Sequence, residues 1–133
     1  MNLLSVFDDS IISDIISLNE VTSMYQLKLS SSEVKEIVNT RNISLRNIKR
    51  VEFRESSVKL IILEFCKSSY ISKDEWASTL NELVSIFYHL RSMVSDNVSD
   101  KCLVNSMFWY FEGDACGSIE LLKDFCYEGD LWI

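Results

Sequence analysis

Proline is absent from these 133 residues, and glycine occurs three times, at Gly113, Gly117 and Gly129. Both residues punctuate regular structure, and a chain nearly free of them runs from helix to helix with few sharp loops. That excludes a turn-rich architecture and points to a compact helical domain. Long apolar runs are also missing: the longest aliphatic run, Leu60 to Leu63, cannot span a membrane. The first nine residues hold no Lys or Arg and already include Asp8 and Asp9, which does not fit a secretory signal. The expectation is a cytoplasmic protein with no membrane partner. Histidine occurs once, as His89, and Cys66, Cys102, Cys116 and Cys126 form no C-x-x-C pair. A zinc site takes about four ligands in close-spaced pairs. No metal site and no cofactor are therefore expected, and free thiols, mostly buried, are.

What is present fits one domain over residues 1–133. Hydrophobic residues make up 47% and charged residues 25%, an ordinary balance for a packed globular chain. The net charge of −7 is unevenly spread. Residues 1–27 carry four acids and no base, residues 28–67 nine bases and five acids, and residues 68–133 four bases and eleven acids. The acidic balance argues against nucleic acid as a partner. The basic middle either compensates the acidic end inside the fold or faces an acidic partner.

Local signals divide the chain. Ser5 is placed to cap a first helix ending between Asn19 and Ser23, with Ile11, Ile12, Ile15 and Leu18 on one face. Ser30 with Glu33 forms a capping box, flanked by a Leu29–Val34 staple, and predicts a helix over 31–48. Alternation in Tyr25–Leu29 and again in Arg50–Arg54 leaves room for a minor two-stranded β-ribbon over 24–29 and 50–54. Ser56 or Ser57 starts an apolar helix through Cys66. Ser72 with Glu75 forms a second capping box, with Ile71 and Trp76 as its staple, opening a helix over 73–94. Its wide stripe from Trp76 to Val94 suits the central helix of a bundle. A helix over 100–112 is closed by Gly113, and Ser118 caps the last one. The sum is an all-α bundle of about five helices.

No residue set is expected to be catalytic. Arg41 is the oddest placed: at about 100° per residue it falls in the middle of the stripe of Val34, Ile37, Val38, Leu45 and Ile48. A guanidinium there needs a carboxylate, because an unpaired buried charge is very costly. Glu52, Glu55 and Glu64 are the candidates. Either Arg41 pairs inside the fold or it anchors an anion. Arg46, Arg50 and Arg54 lie close by with Lys49 and form a candidate binding run, or else a solvated surface. His89 falls on the side of its helix away from Trp76 and Phe87. Cys116 precedes a helix start, where a thiol can be activated, but nothing local orients a base toward it. Phe108–Trp109–Tyr110–Phe111 covers every side of its helix, so part of it faces a neighbour or a partner. Trp109, Tyr110 and Trp132 are the candidate interface residues.

The strings Thr40-Arg41-Asn42, Leu45-Arg46 and Arg50-Val51-Glu52-Phe53 carry a likeness, as do Phe65-Cys66, Ser69-Tyr70, Leu80-Asn81-Glu82-Leu83 and Ile86-Phe87-Tyr88. Over about residues 28–125 the chain resembles a family of small bacterial proteins with a domain of unknown function. The resemblance implies a short single-domain protein and brings no activity, cofactor or catalytic residue. The leading expectation is a non-enzymatic helical interaction module or adaptor that binds another protein or a second copy of itself. The alternative is a small anion- or ligand-binding regulator or enzyme that uses Arg41. A third reading is an acidic inhibitor that occupies the nucleic-acid site of its partner.

Overall fold

A computed structural model of the chain describes residues 3–52 and 56–128. Helix α1 covers Leu3–Ser17, a single turn α2 covers Asn19–Thr22, and a 3₁₀ turn Ser23–Tyr25 follows. Then come α3 (Ser31–Asn47), α4 (Ser57–Phe65), a second 3₁₀ turn (Lys73–Glu75), α5 (Trp76–Met93), α6 (Asp100–Glu112) and α7 (Ile119–Glu128). The fold is all-α. Among the described residues it has six helices longer than one turn, and no strand.

The first capping box forms as its spacing predicts. Ser30 Oγ accepts from Glu33 N at 3.2 Å and Glu33 Oε1 accepts from Ser30 N at 2.9 Å, which satisfies two backbone donors at the start of α3. Ser56 Oγ accepts from Val58 N, and Ser99 Oγ from Cys102 N, at the starts of α4 and α6. The second expected capping box does not form. Ser72 has the extended backbone of a cap, but its hydroxyl makes no capping bond, and Glu75 N bonds to the Ser72 carbonyl across a 3₁₀ turn instead. Helix α5 therefore begins at Trp76 rather than 73. Ser5 lies inside α1, which starts two residues before it.

The β-ribbon is not made among the described residues, and the reason is local. Leu29 N donates to Asn19 Oδ1 at 3.0 Å, and Asn19 Nδ2 donates to the Leu29 carbonyl at 2.9 Å. Thr22 Oγ1 donates to the Leu27 carbonyl at 2.9 Å. One asparagine side chain thus takes the two backbone bonds a neighbouring strand would take, and the alternating segment is tied to α2. Of the other half, residues 50–52 are irregular, and 53–54 lie outside the described residues.

Helix α5 is the centre of the bundle, as its wide apolar stripe predicts. It packs against α3, α4, α6 and α7, while α1 packs on α3. Leu80, Leu83, Val84, Phe87 and Leu90 are fully buried on it. Between α4 and α6, Phe65 meets Phe108 and Phe111 edge to face, with ring centroids 5.4 and 5.5 Å apart. Each such buried side chain contributes about 1.5–3 kcal/mol of transfer free energy. Two glycines matter for close approach. A Cβ on Gly113 would meet the Trp109 carbonyl at 2.9 Å; its φ of −90° is not left-handed, so approach rather than chirality selects glycine there. Gly117 is left-handed at φ +81°, and a Cβ on it would run into the Tyr70 ring. Among the described residues no helix is long and apolar enough to cross a membrane.

Candidate functional site

Arg41 is buried, 6% exposed, and pairs with a carboxylate, as its place in the α3 stripe predicts. Its Nε donates to Glu52 Oε1 at 3.0 Å, and its Nη1 to Asn42 Oδ1 at 2.7 Å. Asn42 passes the link to α1, since its Nδ2 donates to both carboxylate oxygens of Asp8 at 3.1 and 3.2 Å. Glu52 is the hub. Its other oxygen, Oε2, accepts from Tyr88 OH of α5 at 2.7 Å and from Ser57 Oγ of α4 at 2.9 Å. Of the other two expected partners, Glu64 pairs with Lys67 at 3.6 Å, and Glu55 lies outside the described residues.

The seam continues through Ser57 to a second ion pair. Ser57 Oγ lies 2.9 Å from Asp100 Oδ2, while Asp100 Oδ1 accepts from Arg91 Nη1 at 2.8 Å. Arg91 also donates from Nη1 to the Val98 carbonyl at 2.7 Å and from Nη2 to the Ser95 carbonyl at 2.6 Å. This guanidinium thereby folds the α5–α6 loop back onto α5. Its Nε is buried without an acceptor among the described residues. The Ser57 hydroxyl has one hydrogen and faces two carboxylate oxygens, so it serves one at a time. The guanidinia of Arg41 and Arg91 on either side offset the repulsion between the two acids. Burial pushes the Tyr88 phenol far above its ordinary range, and the charge of Glu52 pushes it further.

Beside this seam is a cavity of about 240 Å³ lined by Leu45, Arg50, Glu52, Ser57, Tyr88 and Arg91, among others. Arg50 pairs with Asp96 at 3.1 Å, an exposed contact. Such a contact contributes about 0–1 kcal/mol. Arg46 is exposed on the last turn of α3. Arg54 lies outside the described residues. The structure thus places Arg41 in the seam and Arg50 at the cavity beside it, and leaves Arg46 on the surface. Ser57 is 1% exposed, so its hydroxyl is closed to a substrate. The arrangement is a set of bonds among α1, α3, α4, α5 and α6, filled among the described residues but for Arg91 Nε.

From the sequence, Arg91 and Asp100 have no role at a site, Ser57 is only a candidate helix start, and Asn42 figures only in the family likeness. Arg91 was accessible to the argument that found Arg41: it lies four residues after Phe87 and three after Tyr88, on the buried side of α5. Asp100 reads as the end of a polar loop, and only the tertiary fold shows that it meets Arg91.

The aromatic run on α6 divides as its helical phase requires. Phe111 is buried and Phe108 half-buried against Phe65. Tyr110 stacks on Phe125 of α7, with centroids 3.7 Å apart and planes 16° from parallel. Trp109 points outward and is 75% exposed, against 5% for Trp76. Leu121, one turn before Phe125 on the same side of α7, is also exposed. Trp132 lies outside the described residues. His89 is half-buried and packs on Tyr127, with ring centroids 4.0 Å apart. Cys116 is exposed, and its thiol donates to the Gly113 carbonyl at 3.2 Å. Cys66 and Cys126 are buried, and burial raises both thiols, Cys126 to about 12. No group of three or more potential metal-binding side chains occurs among the described residues.

A family model covers residues 14–129, which takes in all but the first turns of α1 and every later element. The chain belongs to DUF6323, a family of unknown function. Membership extends the likeness seen in the sequence toward both ends. No curated protein and no solved structure matches the chain.

Proposed function

We propose that this DUF6323 chain is a non-enzymatic helical interaction module, and that another protein binds the outer face of the α6–α7 hairpin with Trp109 as its anchor. One observation carries the reading: Trp109 is 75% exposed on a helix whose other side is fully packed. Tryptophan is among the residues most enriched at the energetic centres of interfaces, because its large ring is desolvated on docking. Exposed Leu121 and the Tyr110–Phe125 stack extend the same hairpin surface. We place the module in the cytoplasm, a compartment supported by the free state of all four cysteines.

The test is a photoreactive amino acid placed at position 109 of the full chain in its native cell. The expected result is one dominant crosslinked protein, which disappears when the reactive group is moved to exposed Lys35 on α3. Equal crosslinking from both positions, or none from 109, overturns the reading. A second reading has its own support. The cavity of about 240 Å³ beside Arg50 and Asp100 has room for a small polar ligand. That reading uses Arg50 at the cavity and leaves Arg41 as the brace behind it. Calorimetry with a panel of small anions and zwitterions, compared between wild type and Arg50→Ala, separates the two.

A further inference from the structure

The α6–α7 hairpin carries a charge imbalance that selects among partners. From Trp109 to Glu128 it has five acids, Glu112, Asp114, Glu120, Asp124 and Glu128, and one base, Lys123. That base is engaged, with its Nζ 5.5 Å from the centre of the Tyr127 ring. Asp114, Glu120, Asp124 and Glu128 are exposed. Glu112 lies one turn after Trp109 on α6, and its Oε1 is buried with no hydrogen-bond donor among the described residues. A carboxylate oxygen withdrawn from water without a donor is unfavourable, and a partner cation brought to its side chain would relieve that.

Resting on the interface reading above, we infer that the partner is a protein segment that is basic and amphipathic. It sets an apolar side against Trp109 and Leu121, and Lys or Arg against Glu112, Asp114 and their acidic neighbours. The charge layout disfavours the other occupants. A second copy docked face to face would set these acids against themselves, since a two-fold contact apposes the same patch. Nucleic acid would meet the same repulsion. A second copy offering its basic residues 28–67 would dock head to tail, which leaves the acidic face of one copy open and builds chains rather than a closed dimer.

The full chain, labelled with fluorotryptophan, gives one fluorine resonance per tryptophan, and Trp109→Phe assigns that of Trp109. Three synthetic probes are titrated: an amphipathic helix of leucine and lysine, the same pattern with glutamate for lysine, and polylysine with no apolar side. The expected result is a saturable shift of the Trp109 resonance with the leucine–lysine helix alone. That shift weakens about tenfold in the Glu112→Gln, Asp114→Asn double variant and falls with added salt. Unmoved resonances of the other two tryptophans in the double variant verify its fold. An equal response to the glutamate helix, an equal response to polylysine, or no response to the leucine–lysine helix overturns the inference. So does concentration-dependent self-association in sedimentation that the double variant abolishes. Crosslinking from position 109 decides separately whether this face binds protein at all, so a charge-independent crosslinked partner would sink the inference and leave the interface standing.

Discussion

The seam around Glu52 and the outer face of the α6–α7 hairpin treat difficult side chains in opposite ways. In the seam, the guanidinia of Arg41 and Arg91 and the Glu52 carboxylate, which are costly to bury, are largely taken out of water, Asp100 stays partly exposed, and the four have partners within 2.6–3.0 Å. On the hairpin, a tryptophan that gains most from burial is left in water. Neither arrangement follows from maximising stability. Replacing buried ion pairs by apolar side chains of similar volume is often neutral or stabilising, so the seam does not exist for stability alone. It joins four helices through directional bonds, and directional bonds specify which helix meets which. The hairpin face gains nothing within the chain. On the proposed reading the first region serves architecture and the second recognition, and four substitutions can break that contrast.

The largest effect is expected at Arg41. Arg41→Ala leaves Glu52 mostly withdrawn from water with a charge and no cation, and should destabilise by about 3–5 kcal/mol. Arg41→Met combined with Glu52→Gln should be much milder, because Tyr88 and Ser57 can still donate to the amide oxygen. Thermal and denaturant melts of both variants decide this. If Arg41→Ala left stability unchanged or raised it, the seam would have to be reread as a ligand site.

Gly117 lies in the loop that joins the hairpin and rests on Tyr70, whose ring meets Phe111 edge to face at 6.5 Å. Gly117→Ala forces a left-handed conformation on a residue with a Cβ, at about 1–2 kcal/mol, and displaces the Tyr70 ring as well. A loss of more than about 2 kcal/mol in urea unfolding is the expected outcome. A neutral result would mean that the hairpin is not held in place by this contact.

How much of this was legible in the sequence differs between the regions. Helix spans followed from periodicity and caps, because α3 and α4 carry their start signals in adjacent residues. The Ser72–Glu75 box misled because the same residues can close a 3₁₀ turn through the backbone, and the sequence does not say which bond wins. Arg41 was legible because helical phase alone places it in a buried stripe. Its partner was legible only as a short list, and the second ion pair not at all. Asp100 meets Arg91 through the folding back of a loop, which no local spacing encodes. On the hairpin, the run of four aromatics showed that some ring must face outward. Which ring did depended on the direction from which α4, α5 and α7 approach α6.

Tyr88 gives the seam a pH signature. Its phenol donates to Glu52 Oε2, and burial followed by the charge of Glu52 raises it well above the ordinary value of 10.0. A raised phenol means that the folded chain keeps its proton where the unfolded chain has lost it. The stabilisation is therefore complete below pH 10 and is lost as pH rises beyond it, at about 1.4 kcal/mol per pH unit. Tyr88→Phe removes one hydrogen bond, costing about 1–1.5 kcal/mol at neutral pH. It also removes that alkaline slope. The two stability curves should meet about one unit above the phenol range, and urea melts from pH 8 to 12 would locate the crossing. Parallel curves would show that the phenol does not donate to a charged carboxylate.

The smallest effect is expected where the comparison is most exposed to failure. If Trp109 belongs to recognition, it contributes little to the fold. Trp109→Ala removes a side chain that is 75% exposed and leaves Tyr110 on Phe125. Substitutions away from the core and its bonded networks fall within about ±0.5 kcal/mol. Unchanged thermal and denaturant midpoints are therefore expected, with Trp109→Arg equally well folded. A loss above about 1 kcal/mol would mean that the ring packs on its own chain in solution, and the hairpin face would then be read as core like the seam. Unchanged stability with loss of the crosslinked partner would set the two regions apart by measurement: Arg41→Ala lowers stability through the seam, and Trp109→Ala abolishes recognition without touching the fold.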